Sequence, residues 1–540
     1  MQIILLAAAL ALGTMGCGSP AETEGQGAGI SGQERGDGNG TEEGASGQGD
    51  TAGDGSTTGD AAGNIAESDR AGESGNTGEQ ESAEGSGNTG EQESAGEAGN
   101  TGEQESAEGS GNTGEQENAE GSGDTGEQKS AEGSGNTGEQ KGTGESETTS
   151  ESGKAEPGEG ENMEEIEIVQ VPEWPQAEIP QSDALEFVES MSLGWNLGNT
   201  FDAVDCNVSD ELQYESAWSK AMTTKEMIHA VADAGFRTIR IPVSWHNHVD
   251  EDWQISGAWM DRVQEVVDWA LDEDMHVILN IHHDNAEGFM YPSYERLEQS
   301  KEYVSAIWKQ IAARFADYDE KLIFETLNEP RQIGTDHEWW VDVNSETGKE
   351  CLDAVNQLNQ AAVNAIRENG EGYNASRYIM VPGYCASPDF VLADDFVLPT
   401  DSGGAENRIL VSVHAYTPYN FALAGEGDQG NTDLFSVSQR KGTGEIDDFM
   451  GKLYEKYTSK GTGVVIGEFG ARIKNGNTQA RTEFAAYYVA RARHYGISVC
   501  WWDNNAFAGN GENFGLFRRA NCTFMFPQIV AQMVHYSKAR

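Results

Sequence analysis

Between Met163 and Trp174 the chain changes character, and from there short apolar runs alternate with amphipathic stretches to the last residue. Eight runs read as strands: Leu193–Leu197, Thr238–Val243, His276–Ile281, Leu322–Leu327, Tyr378–Val381, Ile409–Val413, Gly463–Ile466 and Ser498–Trp502. Between most of them the apolar positions recur with a helical period, as at Thr224–Ala234, Ala258–Asp272, Lys301–Phe315, Leu352–Glu368 and Thr482–His494. Eight buried strands alternating with helices predict an α/β fold, a (β/α)8 TIM barrel over residues 175–540. An open doubly wound sheet would want a glycine-rich phosphate loop after its first strand, and LGWNLGNT at 193–200 lacks the GxGxxG spacing.

The preceding stretch has no such pattern. Residues 21–160 contain no Phe, Trp, Tyr, Leu, Val, Met or Cys and only two Ile, too little apolar surface to offset the entropy of ordering them. A dodecapeptide, GNTGEQESAEGS at 75–86, recurs in close variants from Gly87, Gly99, Gly111, Gly123 and Gly135. Without large apolar residues it cannot stack into a solenoid, so 18–165 reads as a disordered acidic linker with a root-mean-square reach of roughly 60–70 Å. Ile3 to Leu12 is an apolar run of signal-peptide length, and Thr14-Met15-Gly16-Cys17 resembles a bacterial lipobox. Residues 1–17 are therefore expected to be a lipoprotein signal, with Cys17 lipidated and the protein held at the cell surface. The lipobox departs from the usual pattern at Thr14, and Met1-Gln2 supplies no basic residue.

Charge narrows the partners. Residues 18–170 carry a net −32 and residues 171–540 a net −26. Both halves would repel nucleic acid or an anionic lipid surface. Five cysteines remain after Cys17, with no CxxC spacing, so neither a disulfide framework nor a zinc site is expected.

A barrel of this kind carries its active site at the C-terminal ends of its strands. Those ends hold Asn199, Arg240, His282-His283, Asn328-Glu329, His414 with Tyr416, Glu468 and Trp501-Trp502. Glu329 closes the fourth strand before Pro330, and Glu468 closes the seventh before Phe469-Gly470. These strands face each other across the mouth, so both carboxylates can reach one bound bond, as double-displacement glycoside hydrolysis requires.

LGWNLGNTFDA at 193–203, IRIPVSW at 239–245, NIHHD at 280–284, LNEPR at 327–331, HAYTPYNF at 414–421, IGEFG at 466–470 and WWDN at 501–504 together resemble glycoside hydrolase family 5, most closely its subfamily 4, the bacterial endo-β-1,4-glucanases. The resemblance covers about 175–540 and every strand. It implies an endo-acting, retaining hydrolase of cellulose and related β-glucans, with Glu329 as acid/base at a raised pKa and Glu468 as nucleophile. It also implies that Arg240 and Tyr416 keep Glu468 ionised, that Asn328 donates to the sugar 2-hydroxyl, that His414 tunes Glu329, that His282 holds the sugar, and that Trp501 stacks on it. Asn199 and His283 complete the candidate set. Trp245 is a further candidate sugar platform, while Trp339-Trp340 read as packing.

The rival functions fare less well. A metal centre at His282-His283-Asp284 is disfavoured because neighbouring strand residues point to opposite faces. A non-catalytic polysaccharide-binding protein would typically have lost one of the two glutamates, and a long tether serves an enzyme as well as a surface adhesin. A xylanase or mannanase on the same fold stays open. The expected protein is a monomer acting on a β-glucan, without cofactor or metal.

Overall fold

The computed structural model of the protein describes residues 166–286, 288–368, 370, 372–404, 406–509 and 511–538. The expected signal, Cys17 and the repeat linker lie outside these residues.

Eight parallel strands close into a barrel: β1 Leu193–Leu197, β2 Thr238–Ile241, β3 His276–Asn280, β4 Leu322–Glu325, β5 Ile379–Pro382, β6 Ile409–His414, β7 Val464–Phe469 and β8 Ile497–Asp503. Each pairs with the next and β8 returns to β1, where Trp195 lies opposite Trp501 and Asn196 opposite Trp502. The TIM barrel is thus the observed fold. Helices including Lys225–Asp233, Gly257–Asp272, Leu297–Arg314, Glu346–Glu368, Thr443–Lys456 and Thr478–His494 connect the strands.

The two-residue period of the strands separates two cores. Outward-facing Trp195, Ile239, Leu279, Phe324, Val411, Ile466 and Trp501 join the helices in one apolar layer. Inward-facing Ile278, Ile323, Met380, Leu410, Val465 and Cys500 form a second cluster inside the barrel. That cluster is closed from below by α1, Asp183–Met191, through Ala184, Phe187, Val188 and Met191. The apolar face of α1 thus fills the lower barrel, leaving polar residues one or two pleats higher to form the next layer.

One irregularity positions the site. Val413 pairs with Ile466 but His414 pairs with Glu468, and on the other side Ile466 pairs with Val499 but Phe469 with Trp501. An extra residue therefore sits in β7 at Gly467-Glu468, a bulge that turns the Glu468 side chain inward where strict alternation would send it to the helices. Glycine suits this bulge because a side chain there would crowd the polar layer. A Cβ there would lie 3.3 Å from both the Glu325 and His414 side chains and 3.5 Å from Arg240 Nε.

Residues ahead of Pro175 already belong to the packed domain. Val169 N–H donates to Gln532 Oε1 (3.0 Å), Gln532 Nε2 donates to the Glu167 carbonyl (2.9 Å), and Trp174 packs edge-on against Tyr487. All five cysteines of the described residues are free thiols.

Candidate active site

The polar layer above the inner core is organised by Arg240, which points inward from β2 and is fully buried. A guanidinium has five N–H donors, and here each has an acceptor. Nε donates to Glu325 Oε2 (2.8 Å), Nη1 to Glu468 Oε1 (2.7 Å) and Asn196 Oδ1 (3.0 Å), and Nη2 to Asn328 Oδ1 (2.7 Å). Nη2 also lies 2.7 Å from Glu325 Oε2. Burial by itself would lower the pKa of Arg240, but the charges of Glu325 and Glu468 more than reverse this and raise it. The bond from Arg240 to Oδ1 fixes the orientation of the Asn328 amide.

Glu468 is held on its second oxygen by Tyr416, whose hydroxyl donates to Oε2 at 2.8 Å. Across the mouth, Glu329 Oε1 lies 2.9 Å from His414 Nδ1, and Oε2 is 3.4 Å from Arg331 Nη1. His414 Nδ1 is also 3.7 Å from Glu468 Oε1, so the ring stands between the two carboxylates. An oxygen of Glu329 and one of Glu468 lie within 4.8 Å of each other and of a His414 nitrogen.

The expectation of a raised pKa at Glu329 is corrected here. Burial pushes its carboxyl up, but the hydrogen bond and charge of His414, with Arg331 and His283 beyond, outweigh that and hold it below the usual carboxylate range. His414 responds in the opposite sense. Burial pushes it down, and Glu468 and Glu329 together lift it above an ordinary histidine. The 2.9 Å contact between Glu329 Oε1 and His414 Nδ1 is the path along which a proton can pass between them.

His282 and His283 also depart from expectation. β3 ends at Asn280, so strand alternation does not reach these residues, and their rings pack at 4.4 Å with both inside 4.8 Å of an Asp202 oxygen. Either this trio or Glu329, His414 and Glu468 is spaced to offer donor atoms to a metal ion. Asp202, however, already accepts from the Thr200 and Asn199 amides at 2.5 and 3.0 Å, and His414 bridges the second trio. Burial, first of all, depresses both histidines, His283 to about 4 and His282 well below its ordinary value. Both are thus neutral hydrogen-bonding groups at the mouth, with His282 Nδ1 3.1 Å from Asn280 Nδ2.

Trp501, expected to face the barrel mouth, does not. It is fully buried in the outer layer, its Nε1 donates to the Phe514 carbonyl (3.1 Å), and it packs edge-on against Phe469. Trp502 is the inward-facing partner, parallel to His282 with ring centroids 6.0 Å apart. Trp245 is also fully buried, with Nε1 donating to the Asn280 carbonyl, which removes it as a platform. Trp339 lies under the Arg331 guanidinium at 4.0 Å, whereas Trp340 is half exposed. Asn199 sits in a left-handed turn (φ 56°) after β1, and the β1 residue that enters the polar layer is Asn196.

Sequence reasoning passed over Asn196, Asn280, Glu325 and Arg331. The signal for Glu325 was present as a lone charge inside the apolar run LIFETL. Asn196 and Asn280 share its inward phase on their own strands.

The model of the family described as "Cellulase (glycosyl hydrolase family 5)" matches residues 201–508. Endoglucanase A of Clostridium longisporum is 42% identical over 352 residues, and the match takes in 64% of this chain and 64% of that protein's length. Among solved structures, a GH5 family lichenase from Caldicellulosiruptor sp. F32 superposes with a TM-score of 0.67 at 53% identity, covering 68% of this chain and all of the other. A GH5-4 broad specificity endoglucanase from Ruminococcus champanellensis, with bound cellotriose, gives a TM-score of 0.60 at 40% identity over 66% of this chain and all of that one.

Proposed function

Because this chain belongs to glycoside hydrolase family 5, we propose that it is a retaining endo-β-1,4-glucanase that cuts cellulose and related β-glucans internally, with Glu468 as nucleophile and Glu329 as acid/base. The observation that carries this reading is the facing pair of carboxylates with oxygens within 4.8 Å of each other. Retaining glycosidases hold theirs about 5–5.5 Å apart, whereas inverting ones leave about 6.5–9.5 Å for a water.

In the first step Glu468 attacks the anomeric carbon while Glu329 protonates the departing glycosidic oxygen, giving a glycosyl ester on Glu468. In the second, Glu329 takes a proton from water, which displaces the ester and restores Glu468. Substrate covering Glu329 strips its remaining water and favours its neutral form. The proton shared with His414 over 2.9 Å then resides on the carboxyl that needs it. Nδ2 of Asn328, next to the acid, meets the 2-hydroxyl, a contact that tightens as the ring approaches an oxocarbenium ion. Trp502 and His282 line the same side of the mouth and supply the stacking surface first assigned to Trp501.

The experiment that tests the substrate reading is hydrolysis of carboxymethyl cellulose, barley β-glucan, xyloglucan, xylan and glucomannan by the full-length protein. A rapid fall in viscosity with few new reducing ends is expected on one or more β-1,4-glucans. Silence on all five from folded protein would favour a polysaccharide-binding role, and activity on xylan or glucomannan alone a xylanase or mannanase.

We further propose that the protein is a monomeric cell-surface lipoprotein anchored at Cys17, with the acidic repeats separating the anchor from the barrel. The lipobox-like TMGC and the scarcity of large apolar residues in 21–160, where Ile30 and Ile65 stand alone, support it. Cys17→Ser should release the enzyme into the medium, and unchanged membrane retention would refute the anchor.

A further inference from the structure

Arg240 touches two carboxylates, and only Glu468 is a reacting group. Glu325, the last residue of β4, is fully buried beneath it. Ser412 donates to its Oε1 at 2.6 Å and Asn280 to its Oε2 at 2.9 Å, while Arg240 takes Oε2 through both Nε and Nη2. With these donors and no solvent exposure, Glu325 cannot meet a sugar. A buried arginine needs one anionic partner for charge balance; this one has two, so the trio is an anion in the resting enzyme.

We propose that Glu325 is a positioning residue that fixes the Arg240 guanidinium and keeps it charge-compensated while Glu468 is tied up as the glycosyl ester. The inference rests on the retaining reading, since only there does Glu468 lose its charge mid-cycle. When the ester forms, Arg240 and Glu325 remain as a neutral pair. Without Glu325, the resting Arg240–Glu468 pair would be neutral and Glu468 a poorer nucleophile. In the ester, a bare guanidinium would then stand beside an anomeric carbon that gains positive charge in both transition states. Glu325 thus opposes two failures, overbinding of the nucleophile and repulsion of the oxocarbenium ion.

The geometry also fixes how a variant should behave. The groups facing Glu468 are Arg240, Tyr416, His414 and Glu329, with Glu512 of the loop after β8 farther out. Glu325 acts on Glu468 through Arg240 as a further negative charge. Glu325→Gln removes that charge but keeps the shape, so the negative field that Arg240 relays to the nucleophile is lost while the packing stays.

The test measures kcat, KM and the pH profile of full-length wild type, Glu325→Gln and Glu325→Asp on an aryl β-cellobioside. Mass spectrometry of the enzyme treated with an activated 2-deoxy-2-fluoro-cellobioside runs in parallel. For Glu325→Gln, kcat should fall about 10- to 100-fold, the scale of one lost hydrogen bond to a charged group. KM should stay nearly unchanged, and the acid limb of kcat/KM should move to lower pH. Glu325→Asp should keep the wild-type acid limb while losing kcat, because charge is retained and reach is not. A folded Gln variant with wild-type kcat and acid limb overturns the proposal, as does wild-type kcat in the Asp variant even if the Gln variant fails to fold. Wild type that forms no adduct on Glu468 would instead overturn the retaining reading itself.

Discussion

Glu468→Ala is expected to lose roughly 10⁴-fold or more of its turnover, about 5.5 kcal/mol of transition-state stabilisation, while remaining folded. The fold should survive because Arg240 keeps Glu325 as its ion-pair partner, with nitrogen and oxygen 2.7 Å apart. Removing one partner of an isolated buried pair would cost about 3–5 kcal/mol by stranding a charge; here none is stranded. The alanine leaves room for a small anion beside the anomeric carbon. Azide with dinitrophenyl β-cellobioside should restore turnover and give the α-glycosyl azide, since a single displacement inverts. Wild-type-like activity, or loss without azide rescue from folded protein, would remove Glu468 as the nucleophile.

Glu329→Ala is the second large effect, with the opposite signature. General acid catalysis is worth about 10²–10⁴-fold, and that loss should appear on cellulosic substrates with poor leaving groups. With dinitrophenyl β-cellobioside, which leaves without a proton, the first step should proceed and the glycosyl ester accumulate, because the base for water is gone. Azide then attacks the ester and should yield the β-glycosyl azide. The two alanine variants are therefore expected to give azides of opposite anomeric configuration. Identical products from both would contradict the assignment of roles.

The same pair sets the alkaline limb of the pH profile. His414 is lifted above the ordinary histidine value because Glu468 and Glu329 outweigh its burial. A raised pKa means the proton stays bound to higher pH and is lost as pH rises through the shifted value. Activity should therefore decline only above about 6.5, the ordinary histidine value. In His414→Gln the proton would belong to Glu329 alone, and the limb should move to lower pH. An unmoved limb in that variant would separate His414 from the acid.

Much of this was legible in the chain because the barrel places chemistry at strand ends. Glu329 and Glu468 each close an apolar run before Pro330 or Phe469-Gly470, and Arg240 stands in TIRI as the one charge of a buried strand. Trp501 was chosen over its alternating neighbour Trp502 on family spacing from Glu468, and ISVCWWD offers no clear polar alternation to show which of the two turns inward. The inner core shows the phase, with Cys500 pointing in and Trp501 out. The opposite-face argument for His282 and His283 assumed a strand that stops at Asn280, before either of them. The bulge at Gly467-Glu468 has no local sequence signature beyond its glycine, yet it is what turns Glu468 into the barrel mouth. Glu325 was visible as a charge but not as a partner, because its role depends on Arg240 of another strand.

Retention is the central claim, and proton NMR of cellopentaose hydrolysis by the full-length enzyme tests it most directly. Within the first minutes, new reducing ends should carry the β-anomeric signal, with the α signal growing only at the rate of mutarotation. An α signal that appears first would mean a single inverting displacement and would contradict the double displacement assigned to Glu468 and Glu329.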